Sequence, residues 1–192
     1  MYSGYVTHAP TETSGRAPAP GSLRLVQEFV NTLDAENGRD LLADRETFSG
    51  WLQEQGLATP GPPPGDHDIA TATELREALR SLLCANAGAD PDLAAAALVN
   101  RMSAEAPLRV EVRPDGAAGL RGTGIVGAVL AAAGTAMLDG SWARLKACLD
   151  PGCGWAFYDR SRNRSGHWCD ATCGSRHKVR AFRSRQRHTP TR

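Results

Sequence analysis

Aromatic residues are scarce, at 6% of the 192 residues, and no apolar stretch has the length of a bilayer span. The longest, Ile125 to Leu138, covers 14 residues and is interrupted by Gly127, Gly134 and Thr135, whereas a spanning helix needs roughly 20. It reads as a buried helix, and no membrane association is expected. The first twenty residues lack a basic start followed by an apolar run, so no secretory signal is expected and a cytoplasmic location follows. Before Trp142 there is no Ser/His/Asp set, no Gly-rich phosphate loop and no paired metal-carboxylate motif, which argues against an enzyme. No internal repeat is present.

What remains is ordinary material for a globular core: 41% hydrophobic residues, enough for a domain of about 120 residues with a small module appended. Charge is unevenly divided. From Trp142 to Arg192 there are 12 Lys and Arg against three acids, Asp150, Asp159 and Asp170. The remainder holds 10 basic and 18 acidic residues, so a net charge of +1 conceals a basic end of +9 and an acidic body of −8. A polyanion would be drawn to the end and repelled by the body. The alternative for the same charges is a solvated terminus with no partner.

Residues 1–21 mix Pro, Gly, Ser and Thr without apolar periodicity and read as a flexible leader. Residues 22–140 read as a mostly helical α+β domain with a short β-hairpin. Ser22 is placed to cap a helix carrying Leu23, Leu25, Val26, Phe29, Val30 and Leu33. Asp44 is placed to cap a second with Phe48, Trp51 and Leu52, ending near Gly56. The proline-rich segment 58–66 separates it from a third helix over about Asp68 to Asn86, and Pro91 suits the first position of a fourth, reaching about Ala104. Leu108, Val110 and Val112 alternate with charged residues ahead of Pro114-Asp115-Gly116, a strand entering a hairpin whose return arm is expected around Ala118 to Gly122. Asp139-Gly140-Ser141 ends the apolar helix.

Residues 141–192 carry the chemistry. Cys148, Cys153, Cys169 and Cys173 are spaced C-x4-C-x15-C-x3-C. Two close pairs separated by a loop suit a tetrahedral thiolate site, each pair supplying one edge. Asp150-Pro151-Gly152 supplies a turn between the first pair, and Trp155, Phe157 and Tyr158 suggest a short strand. The i, i+4 spacing of Cys169 and Cys173 places both sulfurs on one face of a helix's opening turn. Two disulfides are the competing reading, disfavoured by a reducing compartment. A catalytic zinc would keep one position open, and four cysteines leave none. His167 and His177 are near enough in sequence to replace a ligand but are not needed. Cys84 stands alone on the third helix and reads as a small core residue.

Beyond Cys173, Arg176, Arg180, Arg183 and Arg187 recur at spacings of 4, 3 and 4 and form one helical stripe, widened by Lys178 and Arg185. Val179 and Phe182 fall on another face, suited to docking against the hairpin aromatics. Arg160, Arg162 and Arg164 form a second cluster before His167. The planar guanidinium pairs two phosphate oxygens or the O6/N7 edge of guanine. Some of this charge is expected to offset a site whose four thiolates and Zn²⁺ sum to about −2.

The segment GWAFYDRSRNRSGHWCDATCGSR resembles the CGNR zinc-finger family, bacterial proteins in which the finger follows an N-terminal ABATE domain, and Leu25 to Thr32 (LVQEFVNT) resembles the opening of that domain. The resemblance implies one structural zinc on Cys148, Cys153, Cys169 and Cys173, and a stress-linked transcription regulator. Cys173-Gly174-Ser175-Arg176 carries Ser where the family motif has Asn, which leaves both thiolates intact and shortens one side chain.

Three functions compete at this point. The first is a DNA-binding regulator whose finger presents the basic helix to duplex DNA, while the acidic domain senses a small-molecule effector or mediates homodimerisation over two half-sites. The second is a zinc-stabilised RNA-binding or protein-interaction module, with few aromatics on the basic stretch for stacking single strands. The third is an enzyme in the helical domain, with Phe29, Phe48 and Trp51 lining a pocket, although such residues serve equally well as core.

Overall fold

The computed structural model describes residues 18–58, 61–112 and 114–187. Among them, helix α1 (Leu23–Val30) is short and strongly amphipathic, burying Leu23, Val26, Phe29 and Val30. Ser22 lies ahead of it in helical backbone and makes no side-chain cap, contrary to expectation; the chain already turns at Gly21 and Ser22, whose carbonyls accept from Arg24 and Leu25. Leu33 falls outside the helix on strand β1 (Leu33–Asp34), which pairs antiparallel with β2 (Arg39–Asp40). This small hairpin was not anticipated, because its two-residue arms are too short to show alternation. Of the expected leader, residues 1–17 lie outside the described residues, and Ala19 is buried with its N–H donated to Gln27 Oε1 at 2.6 Å.

Helix α2 (Arg45–Glu54) starts at Asp44, whose carboxylate accepts from the N–H groups of Glu46 and Thr47, satisfying donors that a helix start leaves unpaired. Past its end Gly56 takes a φ of 65°, reversing the chain. Helix α3 (Asp66–Asn86) begins two residues earlier than the apolar pattern suggested, because Asp68 reaches back to the Gly65 N–H at 2.8 Å. Helix α4 (Leu93–Glu105) is capped by Asp92, whose carboxylate accepts from Ala95 N–H. Pro91 therefore precedes the cap instead of occupying the first helical position. The side-chain acceptor of Asp92 decides the start, and proline supplies none.

Strands β3 (Arg109–Val112) and β4 (Ala118–Arg121) form the expected hairpin. Helix α5 (Gly124–Leu138) is apolar almost all round, as befits a helix surrounded by others. It touches α1, α3, α4 and β4. After a single 3-10 turn at Trp142–Arg144, β5 (Leu145–Ala147) pairs antiparallel with β6 (Ala156–Tyr158), and α6 (Ala171–Arg187) follows.

The main core joins Phe29, Phe48, Leu75, Leu79, Leu83 and Val129, with Trp51 set against Phe29 and Phe48 at ring separations of 5.9 and 6.5 Å. The aromatics named above as pocket candidates, Phe29, Phe48 and Trp51, are packed core. Leu145, Ala147 and Ala156 belong to this same core, so one face of the β5–β6 hairpin is buried against the helices. Side chains of the helical part also bind its backbone. Asn31 donates to Ala156 O at 3.0 Å and accepts from Ala156 N–H at 2.7 Å, and Asn86 donates to the carbonyls of Trp142 and Leu145 at 3.0 and 2.9 Å. Helix-borne amides thereby do for a two-stranded sheet what further strands would do.

Candidate metal centre and basic surface

The first cysteine pair closes a tight knuckle: Cys153 N–H donates to Asp150 O and Cys148 N–H to Trp155 O, both at 2.9 Å. Gly154 follows with a φ of 61°, and a Cβ there would stand 3.2 Å from the Arg80 guanidinium that binds its carbonyl. Glycine is the residue that meets both conditions. The second pair is brought to the first by Leu149 N–H donating to His167 O at 3.1 Å. Asp170 caps α6 by accepting from Cys173 N–H at 2.9 Å. Cys169 therefore precedes the helix cap, where an opening-turn position was expected, and only Cys173 is helical.

All four cysteines are buried and free of disulfides, with their sulfurs within 4.8 Å of one another. Cys169 Sγ lies 3.6 Å from both Cys153 Sγ and Cys173 Sγ. Zinc–sulfur bonds of about 2.3 Å in a tetrahedron set sulfurs about 3.8 Å apart, so the cluster fits one structural zinc ion. The thiols cannot all ionise together unaided. Hydrogen bonds from Cys153 and Cys169 hold Cys148 far below the usual thiol range, while Cys148 pushes Cys153 up to about 12 and, with Cys153, raises Cys169 further. A dication relieves this competition by stabilising all four as thiolates, with a net charge of about −2 left for nearby arginines to offset.

Arg176 serves the site. It donates to Cys173 Sγ at 2.9 Å and to Glu36 Oε1 at 2.7 Å, and its Nε lies 2.8 Å from Asp150 Oδ2 at an angle outside that of a hydrogen bond. Asp150, 2% exposed, also accepts from Arg180 and from Gly152 N–H at 2.8 and 3.1 Å. Burial alone would raise its carboxyl, but Arg180, the Gly152 N–H and the charge of Arg176 outweigh that and lower it. Its bonds to Cys173, the largest cause, and to Glu36 raise the Arg176 guanidinium. Gly174 lets Trp168 lie close, since a Cβ would come within 3.3 Å of the indole. Ser175 is exposed.

The arginine loop rests on an ion pair buried on both sides. Lys146 Nζ donates to Asp159 Oδ2 at 2.9 Å and to the carbonyls of Arg164 and Gly166 at 2.5 and 3.0 Å. Asp159 also accepts from the N–H groups of Ser161 and Gly166. Burial opposes ionisation of Asp159, yet the Ser161 hydroxyl, Lys146 and these amides hold it well below the ordinary carboxylate range. Arg164 takes a φ of 50° in this loop. Sequence reasoning placed Asp150 in the turn between the first cysteine pair, as found, but missed its ion pairs, and it missed the roles of Lys146, Asp159 and Asn31. The apolar neighbours of Lys146 in Leu-Lys-Ala signal a strand, but its partner lies across the hairpin.

All three acids of the basic end are thus engaged internally, Asp150 and Asp159 in ion pairs and Asp170 as a cap. Among the expected nucleic-acid contacts, Arg176 and Arg180 are tied to Asp150, and Arg160 donates to Pro18 O at 3.4 Å. Arg162, Arg164, Lys178, Arg183 and Arg185 are exposed, and the side chain of Arg187 lies outside the described residues. Val179 and Phe182 are 47% and 54% exposed. They do not dock on the hairpin aromatics, whose inner faces are occupied by the helical core and the cysteine cluster. His167 is neither ligand nor bystander: its Nδ1 contacts the Ala87 carbonyl, and His177 lies against Trp168 with rings 4.5 Å apart. Cys84 is half-buried against the main core, and burial raises its thiol. No helix among the described residues is long and apolar enough to cross a membrane.

A family model described as "Putative stress-induced transcription regulator", ABATE, matches residues 23–141, and the model of the CGNR zinc finger matches residues 144–186. Neither is an enzyme family. Comparison with curated proteins gives no match. The helical fold, the four-cysteine centre and a family match over more than half the sequence agree, and the chain belongs to the ABATE family and carries a CGNR zinc finger after that domain.

Proposed function

We propose that this protein is a DNA-binding transcription regulator in which a structural zinc fixes the start of α6 and so presents the helix to duplex DNA, while the region over residues 22–140 senses an effector or mediates dimerisation. The observation that carries this reading is the internal engagement of Asp150, Asp159 and Asp170, which leaves the outer surface of residues 141–187 basic. Arg162, Arg164, Lys178 and Arg183, without ion-pair partners among the described residues, are the contacts to phosphate, joined by Arg160, Arg185 and Arg187. Arg176 and Arg180 act chiefly by holding α6 against the zinc knuckle.

Binding of duplex DNA by the zinc-loaded chain is expected to weaken with salt, with log affinity against log salt falling at about −4 to −5 if about five phosphates are contacted. A flat response overturns the reading. Exposure of Val179 and Phe182 on α6 favours a second reading, a protein-interaction helix. Substituting both by Ser would abolish a protein contact, yet it would leave the salt slope on DNA unchanged.

A further inference from the structure

The hairpin β3–β4 has one edge in use. Leu120 on β4 donates its N–H to Thr135 Oγ1 of α5 at 2.9 Å, and its side chain reaches Gly134. The outer edge of β3 pairs with no strand among the described residues. Val110 and Val112 stand opposite Leu120 and Ala118 and share their face, yet they are 71% and 68% exposed. Beside that face an open cleft of about 910 Å³ runs between hairpin and α5, lined by Val110, Ala118, Leu120, Thr135 and Leu138, the last 81% exposed. An unpaired edge with a bare apolar face is a template for another strand.

We propose that β3 pairs antiparallel with β3 of a second copy about a two-fold axis at Val110, giving a four-stranded sheet. This rests on the reading above for its use, as the dimer contact of the regulator, and on the strand itself for its argument. Antiparallel partners share a face, so valine meets valine only when the axis passes through a residue. An axis at Arg109 or Glu111 opposes like charges, and one at Val112 draws in Pro114, which has no N–H to pair.

The axis at Val110 sets Arg109 against the partner's Glu111 twice, and Leu108 against the partner's Val112. Arg109 has no ion-pair partner among the described residues, while Glu111 is held from its own chain by Arg121 at 2.8 Å, on the exposed side of the hairpin. Strand pairing alone falls short of the roughly 800 Å² per partner of a stable interface. Val110 lies on the mouth of the cleft with Leu138, so the partner's Val110 adds to apolar burial there.

Sedimentation of the zinc-loaded full chain is expected to show a monomer–dimer equilibrium. Arg109→Glu would raise the dimer dissociation constant about tenfold, from two like-charge oppositions, and Arg109→Glu with Glu111→Arg would recover it. The register is tested apart from hairpin stability by mild oxidation in a Cys84→Ser background: Val110→Cys cross-links to itself, and Val112→Cys does not. A monomer at all concentrations, an unchanged dimer in Arg109→Glu, or equal cross-linking by both cysteine variants overturns the interface. Duplex DNA binding measured alongside separates the two claims. A monomer that binds DNA removes the interface and spares the regulator, and a Val110-centred dimer that binds no DNA does the reverse.

Discussion

The helical body and the zinc finger solve the same problem with different materials. In the body, Phe29, Phe48, Leu75, Leu79 and Leu83 are fully buried, and stability comes mainly from apolar area removed from water, with one buried guanidinium, Arg76, paired to Asp40. The finger's own cluster holds four cysteines and Phe157, flanked by Trp155 and Trp168, too little to fold alone. It relies on a metal, on the buried ion pair Lys146–Asp159, on the partly exposed Arg176 paired with the buried Asp150, and on lending Leu145, Ala147 and Ala156 to the body's core. Apolar packing tolerates imprecision, whereas a charge-organised centre depends on every partner, because one removed leaves another buried and unpaired.

The sharpest way to break this comparison is Cys169→Ser. Structural zinc contributes on the order of 10 kcal/mol to small zinc domains, so elemental analysis should show the metal lost, and hydrogen exchange should show protection lost over residues 145–176. If α1 and α3 lose protection equally, the two regions are one cooperative unit and the contrast fails.

Lys146→Ala strands Asp159 in a site where both side chains are under 5% exposed, and should cost about 3–5 kcal/mol in a denaturant titration. The same pair fixes the pH sign. Asp159 and Asp150 are depressed in the folded protein, so their stabilisation is complete above the unfolded value of about 3.9 and disappears as pH falls through their folded values. Thiolate protonation acts in the same direction by releasing zinc. The denaturation midpoint should therefore fall with acid, and a midpoint that rises would refute the ion-pair account.

Leu79→Ala tests the other side, with an expected loss of about 2–5 kcal/mol from an internal cavity and unchanged zinc content. The smallest effect belongs to Asp44→Ala, which removes two cap bonds at α2 and should lower the denaturation midpoint slightly, with zinc content unchanged. Loss of zinc in Leu79→Ala would show the finger to depend on the body's packing more than on its metal.

Much of this was legible in advance because the signals are local. The apolar spacing of Val26, Phe29 and Val30 and the turn at Asp139-Gly140-Ser141 depend on neighbours in sequence, as do Asp44's cap and the cysteine spacing. Starts went astray where a side chain acts at close range, as with Asp92 in place of Pro91 and Asp68 behind α3. The arginine stripe was read as one surface, but helical spacing cannot reveal that Asp150 is folded beneath it, which divides Arg176 and Arg180 from Arg183.

The sequence by itself determined the helices, the long hairpin, the four thiols and the sign of charge at each end, since each follows from residue type and short spacing. Only the tertiary structure decided that the finger hairpin is buried in the helical core, that Lys146 finds Asp159, that Arg176 bridges Glu36, Asp150 and Cys173, and that Val110 stands bare. Each of those is a meeting of groups remote in sequence, or the absence of one, and depends on how the elements pack.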